Sequence, residues 1–185
     1  MESILLRRQS KRAYLDTPIP DDVLARIIEK TRWAPSCANN QPWRFIIART
    51  PEALARFHTG LSKGNAWAKK APLLIAVAAR EADDYTRKDD PHVQYFLFDC
   101  GLAVENLLLA AVEEGLMGHP MAGYDEALVR QALRIPEEYH IVCVISLGYP
   151  GPTEELDEAT RAKDEKPRTR KETTENFFFD GWPAE

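Results

Sequence analysis

Arg7-Arg8-Gln9-Ser10-Lys11-Arg12 packs four cations and a hydroxyl into six residues, in a chain where acids outnumber bases. Guanidinium forks match phosphate oxygens in bidentate fashion, and a serine hydroxyl adds a short neutral hydrogen bond. The cluster therefore suits one phosphate group, with a solvated basic turn as the competing reading. A second basic cluster, Lys166-Pro167-Arg168-Thr169-Arg170-Lys171, lies near the other end. Between them, Trp33-Ala34-Pro35-Ser36-Cys37-Ala38-Asn39-Asn40-Gln41-Pro42-Trp43 holds amides and hydroxyls between two prolines. Fixed donors and acceptors of this kind suit the imide-like edge of a planar heterocycle. The plainer alternative is a helix-to-strand turn with Trp33 and Trp43 in the core. Cys37 has no charged neighbour in the sequence to activate its thiol, so catalysis by Cys37 is not expected. Pro120-Met121-Ala122-Gly123 reads as a loop with free backbone N–H groups at Met121, Ala122 and Gly123.

Other chemistries lack their signatures. No GxGxxG follows a strand, and no GxxxxGK[ST] or GxSxG is present. His58, His92, His119 and His140 have no metal-ligand spacing. Cys37, Cys100 and Cys143 are too far apart for a CxxC knuckle, and their odd number fits a reducing compartment. The 24 Lys and Arg against 29 Asp and Glu give a formal charge of −5. That average argues against nucleic acid or an anionic membrane as partner. It also hides two basic ends. Residues 1–16 hold four cations and two anions, and residues 161–171 hold six cations and two anions.

The elements that must position these residues are readable from apolar spacing. Asp21 and Asp22 open a helix that Pro35 stops, and Trp43 to Ala48 reads as a strand. Thr50 and Pro51 begin a second helix that fades between Gly60 and Gly64. Leu73 to Ala79 is a buried strand. Pro91 to Glu114 is the longest helix, closed by Gly115. Its polar interruptions, Asp99, Glu105 and Asn106, favour a core helix over a membrane span. A short strand around Leu116, a helix from Asp125 to Leu133 and a strand from Ile141 to Leu147 follow. Such mixing without a βαβ repeat predicts an α+β fold, a single domain over 1–185 with a C-terminal extension from about 151. The extension has little of its own chain to pack on. It ends in Phe177-Phe178-Phe179 and Trp182, a composition suited to docking on a second subunit. The N-terminus is too short in apolar residues for a signal-peptide core, so a cytoplasmic protein is expected.

In this order the motifs resemble those of the FMN-dependent nitroreductase family. Arg8-x-Ser10-x-Arg12 is similar to its R-[RH]-S-x-[RK] signature, and Ala34 to Trp43 to its APSxxNxQPW loop. Asn106-Leu107-Leu108-Leu109-Ala110-Ala111 through Gly115-Leu116 resembles its NLLLAA…GL helix, and Pro167 to Arg170 its P-[KR]-x-R element. The resemblance implies a central, mostly antiparallel sheet flanked by helices, and a homodimer whose C-terminal extension wraps the partner. FMN would lie at the subunit interface. Arg8, Gln9, Ser10 and Arg12 would hold its phosphate and ribityl end with Arg168 and Arg170. Pro35, Ser36, Cys37 and Asn39 of the other subunit would line the isoalloxazine. Pro120, Met121, Ala122 and Gly123 would run past it, with the Ala122 or Gly123 N–H near flavin N5 and no catalytic side chain. Gln9, Glu105 and Ala122 depart from the family's usual residues. The implied activity is ping-pong hydride transfer from NAD(P)H to a nitroaromatic, quinone or similar flat electron acceptor. A specialised dehydrogenase or ene-reductase, or a flavin-binding or sensing module without turnover, are the alternatives.

Overall fold

The computed structural model describes residues 2–90 and 92–183. Helices α1 (Ile4–Arg7) and α2 (Asp21–Thr31) lead to strand β1 (Arg44–Ala48), and α3 (Pro51–His58) leads to β2 (Leu73–Ala79). Then come α4 (Tyr95–Glu113), β3 (Met117–Met121), α5 (Glu126–Leu133), β4 (His140–Gly148) and α6 (Glu158–Glu165). The four strands form one antiparallel sheet in the order β1-β2-β4-β3.

Strand β2 explains the layering. Its side chains alternate between faces, and every residue is buried. Leu73, Ile75, Val77 and Ala79 face a core built with Leu24 and Ile27 of α2 and Phe96, Ala103 and Leu107 of α4. Leu74, Ala76 and Ala78 face a second core with Phe57 of α3 and Val129 of α5. Each large apolar side chain buried this way contributes about 1.5–3 kcal/mol. Helix α4 is long and apolar enough to cross a membrane, yet half of it is buried against the protein.

Local signals set the ends. The Thr50 hydroxyl accepts the Ala53 N–H at 3.2 Å, and Pro51 sits in the first turn of α3. Asp125 caps α5 by accepting the Leu128 N–H at 3.0 Å. Gly115, at φ +79°, ends α4. The expected start of α4 at Pro91 lies outside the described residues. The helix begins at Tyr95, because Gln94 is committed to a β-bridge with Thr86.

Four expectations need correction. Strand β3 starts after Leu116 and extends through Met121, which pairs with Val144 and buries its side chain. Pairing therefore takes Pro120 and Met121 out of the expected loop and leaves only Ala122 and Gly123. Residues Lys63–Lys70 form a 3-10 segment where only a fading helix was read. Trp43 is in the core, but Trp33 is 75% exposed, with its indole N–H donated to Glu29. The polar stretch after Gly151 does find something to pack on. Gly151 N–H donates to Ala13 C=O at 2.9 Å, and α6 buries Asp164.

Candidate functional site

Two basic clusters from opposite ends of the chain meet. The Arg168 guanidinium donates to the Arg8 carbonyl at 2.8 Å and also to the Leu6 carbonyl. Arg8 Nη1 lies 3.5 Å from Ser10 Oγ. Arg170 remains exposed and donates to the carbonyl of its neighbour Thr169. Gln9 is half-buried beside them.

Helix α6 completes this cradle. After β4, the chain returns alongside residues 13–15 through a Tyr14–Pro150 bridge. Asp157 caps α6 by accepting the Thr160 N–H at 3.0 Å. One turn further on, the fully buried Asp164 carboxylate sits 3.4 Å from Arg12 Nη1 and 3.8 Å from Lys11 Nζ. Lys11 also donates to the Asp164 carbonyl at 3.2 Å. Asp164 Oδ2 makes no hydrogen bond. Arg12 is thereby held between a carboxylate and an aromatic face, with its guanidinium carbon 5.7 Å from the Trp67 ring centre.

Trp67 carries the connection onward. It packs against His119 at 4.6 Å between ring centres. His119 Nδ1 lies 3.1 Å from the Lys11 carbonyl. Burial pushes the imidazole down to about 4; the Lys11 carbonyl opposes this and Arg12 adds to it. The ring is neutral near pH 7 and donates Nδ1–H to that carbonyl. Tyr14 lies 2.8 Å from Ser146 Oγ and 3.2 Å from the same carbonyl, and burial raises its phenol pKa. The segment 11–14 is thus fixed from both sides.

The 3-10 segment that carries Trp67 also holds Gly123. Its carbonyl accepts the Asn65 amide at 2.9 Å and the Ser62 N–H at 3.2 Å. A Cβ at Gly123 would lie 2.7 Å from Asn65 Nδ2 and 2.8 Å from Ser62 Oγ, so only glycine fits without displacement. The 3-10 segment thus links Arg12, through Trp67, to Gly123, through Asn65, and Ala122 beside it is exposed.

The loop after α2 is built differently. Cys37–Asn39 form a 3-10 turn in which Ala38 and Asn39 have φ of 48° and 59°, and Gln41 has 50°. Left-handed non-glycine residues cost energy and persist only where surroundings over-determine them. Here Ser36 Oγ accepts the Gln41 N–H at 3.0 Å, and the Gln41 amide donates to Asn39 Oδ1 at 3.1 Å. Asp99 of α4 accepts the Cys37 N–H at 2.7 Å, and Asp84 accepts the Asn40 amide at 3.1 Å. Pro35 and Asn39 are exposed, and Ser36 and Cys37 are half-buried. No hydrogen bond among the described residues joins this loop to the cradle.

Sequence reasoning did not find Asn65, Trp67, His119 or Asp164. Asp99 alone carried a signal: an acid inside an otherwise apolar helix. All three cysteines are free thiols, and the described residues hold no cluster of metal-ligating side chains.

Comparison with known proteins bears on this arrangement. Residues 5–64 and 60–149 match the model of the nitroreductase family. An Archaeoglobus fulgidus protein named "Putative NADH dehydrogenase/NAD(P)H nitroreductase" is 32% identical over 160 residues, 84% of this chain and 88% of its own length. A Thermus thermophilus protein named "NADH dehydrogenase" is 29% identical over 173 residues, 78% of this chain and 84% of its own length. Among solved structures, an oxidoreductase described as containing FMN superimposes with a TM-score of 0.87 at 27% identity. That alignment covers 100% of this chain and 94% of the other.

Proposed function

The chain belongs to the nitroreductase family, and on that premise we propose that it is an FMN-dependent NAD(P)H oxidoreductase working as a homodimer. The observation that carries this reading is that Arg168 joins the Arg8–Arg12 segment, which the Trp67 segment links to Gly123. The cations suit a phosphate. At Gly123 the absence of a side chain lets Ser62 and Asn65 pack directly against the backbone and fix it in place. Arg170, exposed at the end of the same segment, and Gln9 complete the phosphate and ribityl side.

FMN, when bound, supplies ping-pong hydride transfer from NAD(P)H to a nitroaromatic, quinone or similar flat acceptor. The chain's own part is binding and orientation. Asn65 and Ser62 hold the Gly123 carbonyl and so anchor the short Ala122–Gly123 backbone, whose N–H groups serve the reacting edge. Pro35, Ser36, Cys37 and Asn39 line the ring from the second copy, which agrees with the absence of any bond between loop and cradle within one chain. Apolar side chains left exposed on α1, α4 and the tail (Leu5, Phe98, Phe177, Phe179 and Trp182) supply the surface for that second copy. The extension beyond about 151 wraps the partner. Three free cysteines suit a reducing, cytoplasmic setting.

The test begins with absorbance. The purified protein, or protein reconstituted with FMN, is expected to be yellow and to bleach anaerobically with NADH or NADPH. A protein that refuses FMN overturns the cofactor assignment. A flavin that neither nucleotide bleaches leaves a binding or sensing module instead of an enzyme.

A further inference from the structure

Behind the Ser36–Gln41 loop, two acids hold the same turn. Asp99 is only 2% exposed, and one of its oxygens accepts the Cys37 N–H. Asp84 uses Oδ1 for the Asn40 amide and for the Tyr85 N–H at 2.8 Å. Its Oδ2 is buried and has no donor. A buried carboxylate oxygen without a donor costs about 1–3 kcal/mol or more. Both acids hold the same turn, Asp99 by the Cys37 N–H and Asp84 by the Asn40 amide, which makes the Asp99 carboxyl the candidate for the missing donor. Two carboxylates gathered behind one turn do not both ionise readily.

We propose that Asp84 and Asp99 share one proton, and that this pair holds the Ser36–Gln41 loop in its left-handed conformation. The proton sits on Asp99 and is donated to Asp84 Oδ2, leaving the other Asp99 oxygen for Cys37. Asp99 is thus a positioning residue that acts through the loop backbone. Burial raises the Asp99 pKa, the Cys37 N–H opposes this, and the Asp84 charge adds to it. The surrounding groups do not substitute for the shared proton. Arg44 of β1 is engaged by Asp83 at 3.4 Å. Burial pushes Cys100 on α4 up to about 12 and Cys143 on β4 up to about 11, so both stay neutral. Cys37 contributes its backbone N–H, and Tyr85 lies exposed beside Asp84.

A carboxyl whose pKa is raised by folding gives stability that is complete below its unfolded value. That stability is lost as pH rises through the folded value. An asparagine at position 99 mimics the protonated acid, with its oxygen accepting from Cys37 and its amide donating to Asp84. Thermal unfolding of wild type and Asp99→Asn, compared from about pH 4 to about pH 8, therefore tests the pair. Wild type is expected to lose about 2–4 °C relative to the variant as pH rises. If Asp99 were an ordinary ionised acceptor, the sign would reverse, with the variant falling behind as pH rises. That result, or a difference that stays flat with pH, overturns the proposal.

The consequence for cofactor rests on the functional reading above. FMN affinity of the wild type should weaken with rising pH relative to Asp99→Asn, since the phosphate's own titration is common to both. Equal pH profiles for the two proteins would sever the pair from binding. Because unfolding is read without flavin, a failure to bind FMN overturns the functional reading and leaves the carboxyl pair to be judged on its own.

Discussion

In the cradle, cations some 160 residues apart are gathered by backbone carbonyls, a buried carboxylate and an aromatic face. In the Ser36–Gln41 loop, three of six consecutive residues are left-handed and the turn is held from behind by two acids. The cradle is long-range and cationic, with its charges partly open to solvent. The loop is neutral, and its strain is balanced by hydrogen bonds within it and by the two acids behind it. A phosphate is recognised by charge that has to stay accessible, whereas a ring edge is recognised by donors whose direction must not wander. Each region is built for one of those demands.

The largest expected effect comes from preventing the two regions from meeting. No hydrogen bond among the described residues joins them, and the reading of a shared site calls for a dimer. Truncation after Arg170 removes Phe177, Phe179 and Trp182, which are 67%, 90% and 84% exposed. Light scattering should find the truncated protein shifted from dimer toward monomer, with flavin lost alongside. A truncated protein that stays dimeric would mean that the tail does not hold the partner.

Next in size is the loss of one cradle cation. Arg12→Ala should weaken FMN binding by about 1.5–3 kcal/mol, or about 10- to 150-fold, as expected for a hydrogen bond to a charged group. It should also make binding less sensitive to salt, because one fewer positive charge faces the phosphate. No loop substitution should change that salt dependence. An unchanged dissociation constant in Arg12→Ala would remove Arg12 from the site and collapse the contrast between the two regions.

The loop was legible in the sequence because its information is local. Two prolines, amides at fixed spacing and a following strand survive being read in a line. The sheet was legible for a similar reason: Leu73 to Ala79 is apolar at every position, as a strand buried on both faces must be. The cradle was only half legible. Its cations stand out, but nothing in a linear reading says that Arg168 reaches the Arg8 carbonyl, or that Asp164, one acid in a polar stretch, is buried against Lys11 and Arg12. Charge pairs chosen by tertiary contact leave no periodicity. The boundary at Pro120 was misread because a proline usually breaks a strand. On an edge strand such as β3, its missing N–H costs little, and pairing runs on to Met121.

The smallest expected effect is also the one that separates a built cradle from a fortuitous cluster of charges. Asp164 is fully buried at its side chain, while Lys11 and Arg12 keep 28% and 22% of theirs exposed. Solvent screening at the two cations limits what the pair contributes, so its strength cannot be taken from burial of the acid alone. A double-mutant cycle with Arg12→Gln and Asp164→Asn isolates the coupling. Unfolding free energies should give about 0.5–1 kcal/mol of interaction, with each single variant less stable than additivity with the double variant allows. The carboxylate has the Arg12 guanidinium 3.4 Å away and an oxygen without any hydrogen bond. Removing Arg12 alone therefore leaves an acid with only Lys11 to neutralise it, and removing both relieves that burden. A coupling of zero would mean that Arg12 is placed by Trp67 and the backbone alone. The cradle would then owe its geometry, like the loop, to packing and backbone hydrogen bonds and not to paired charge.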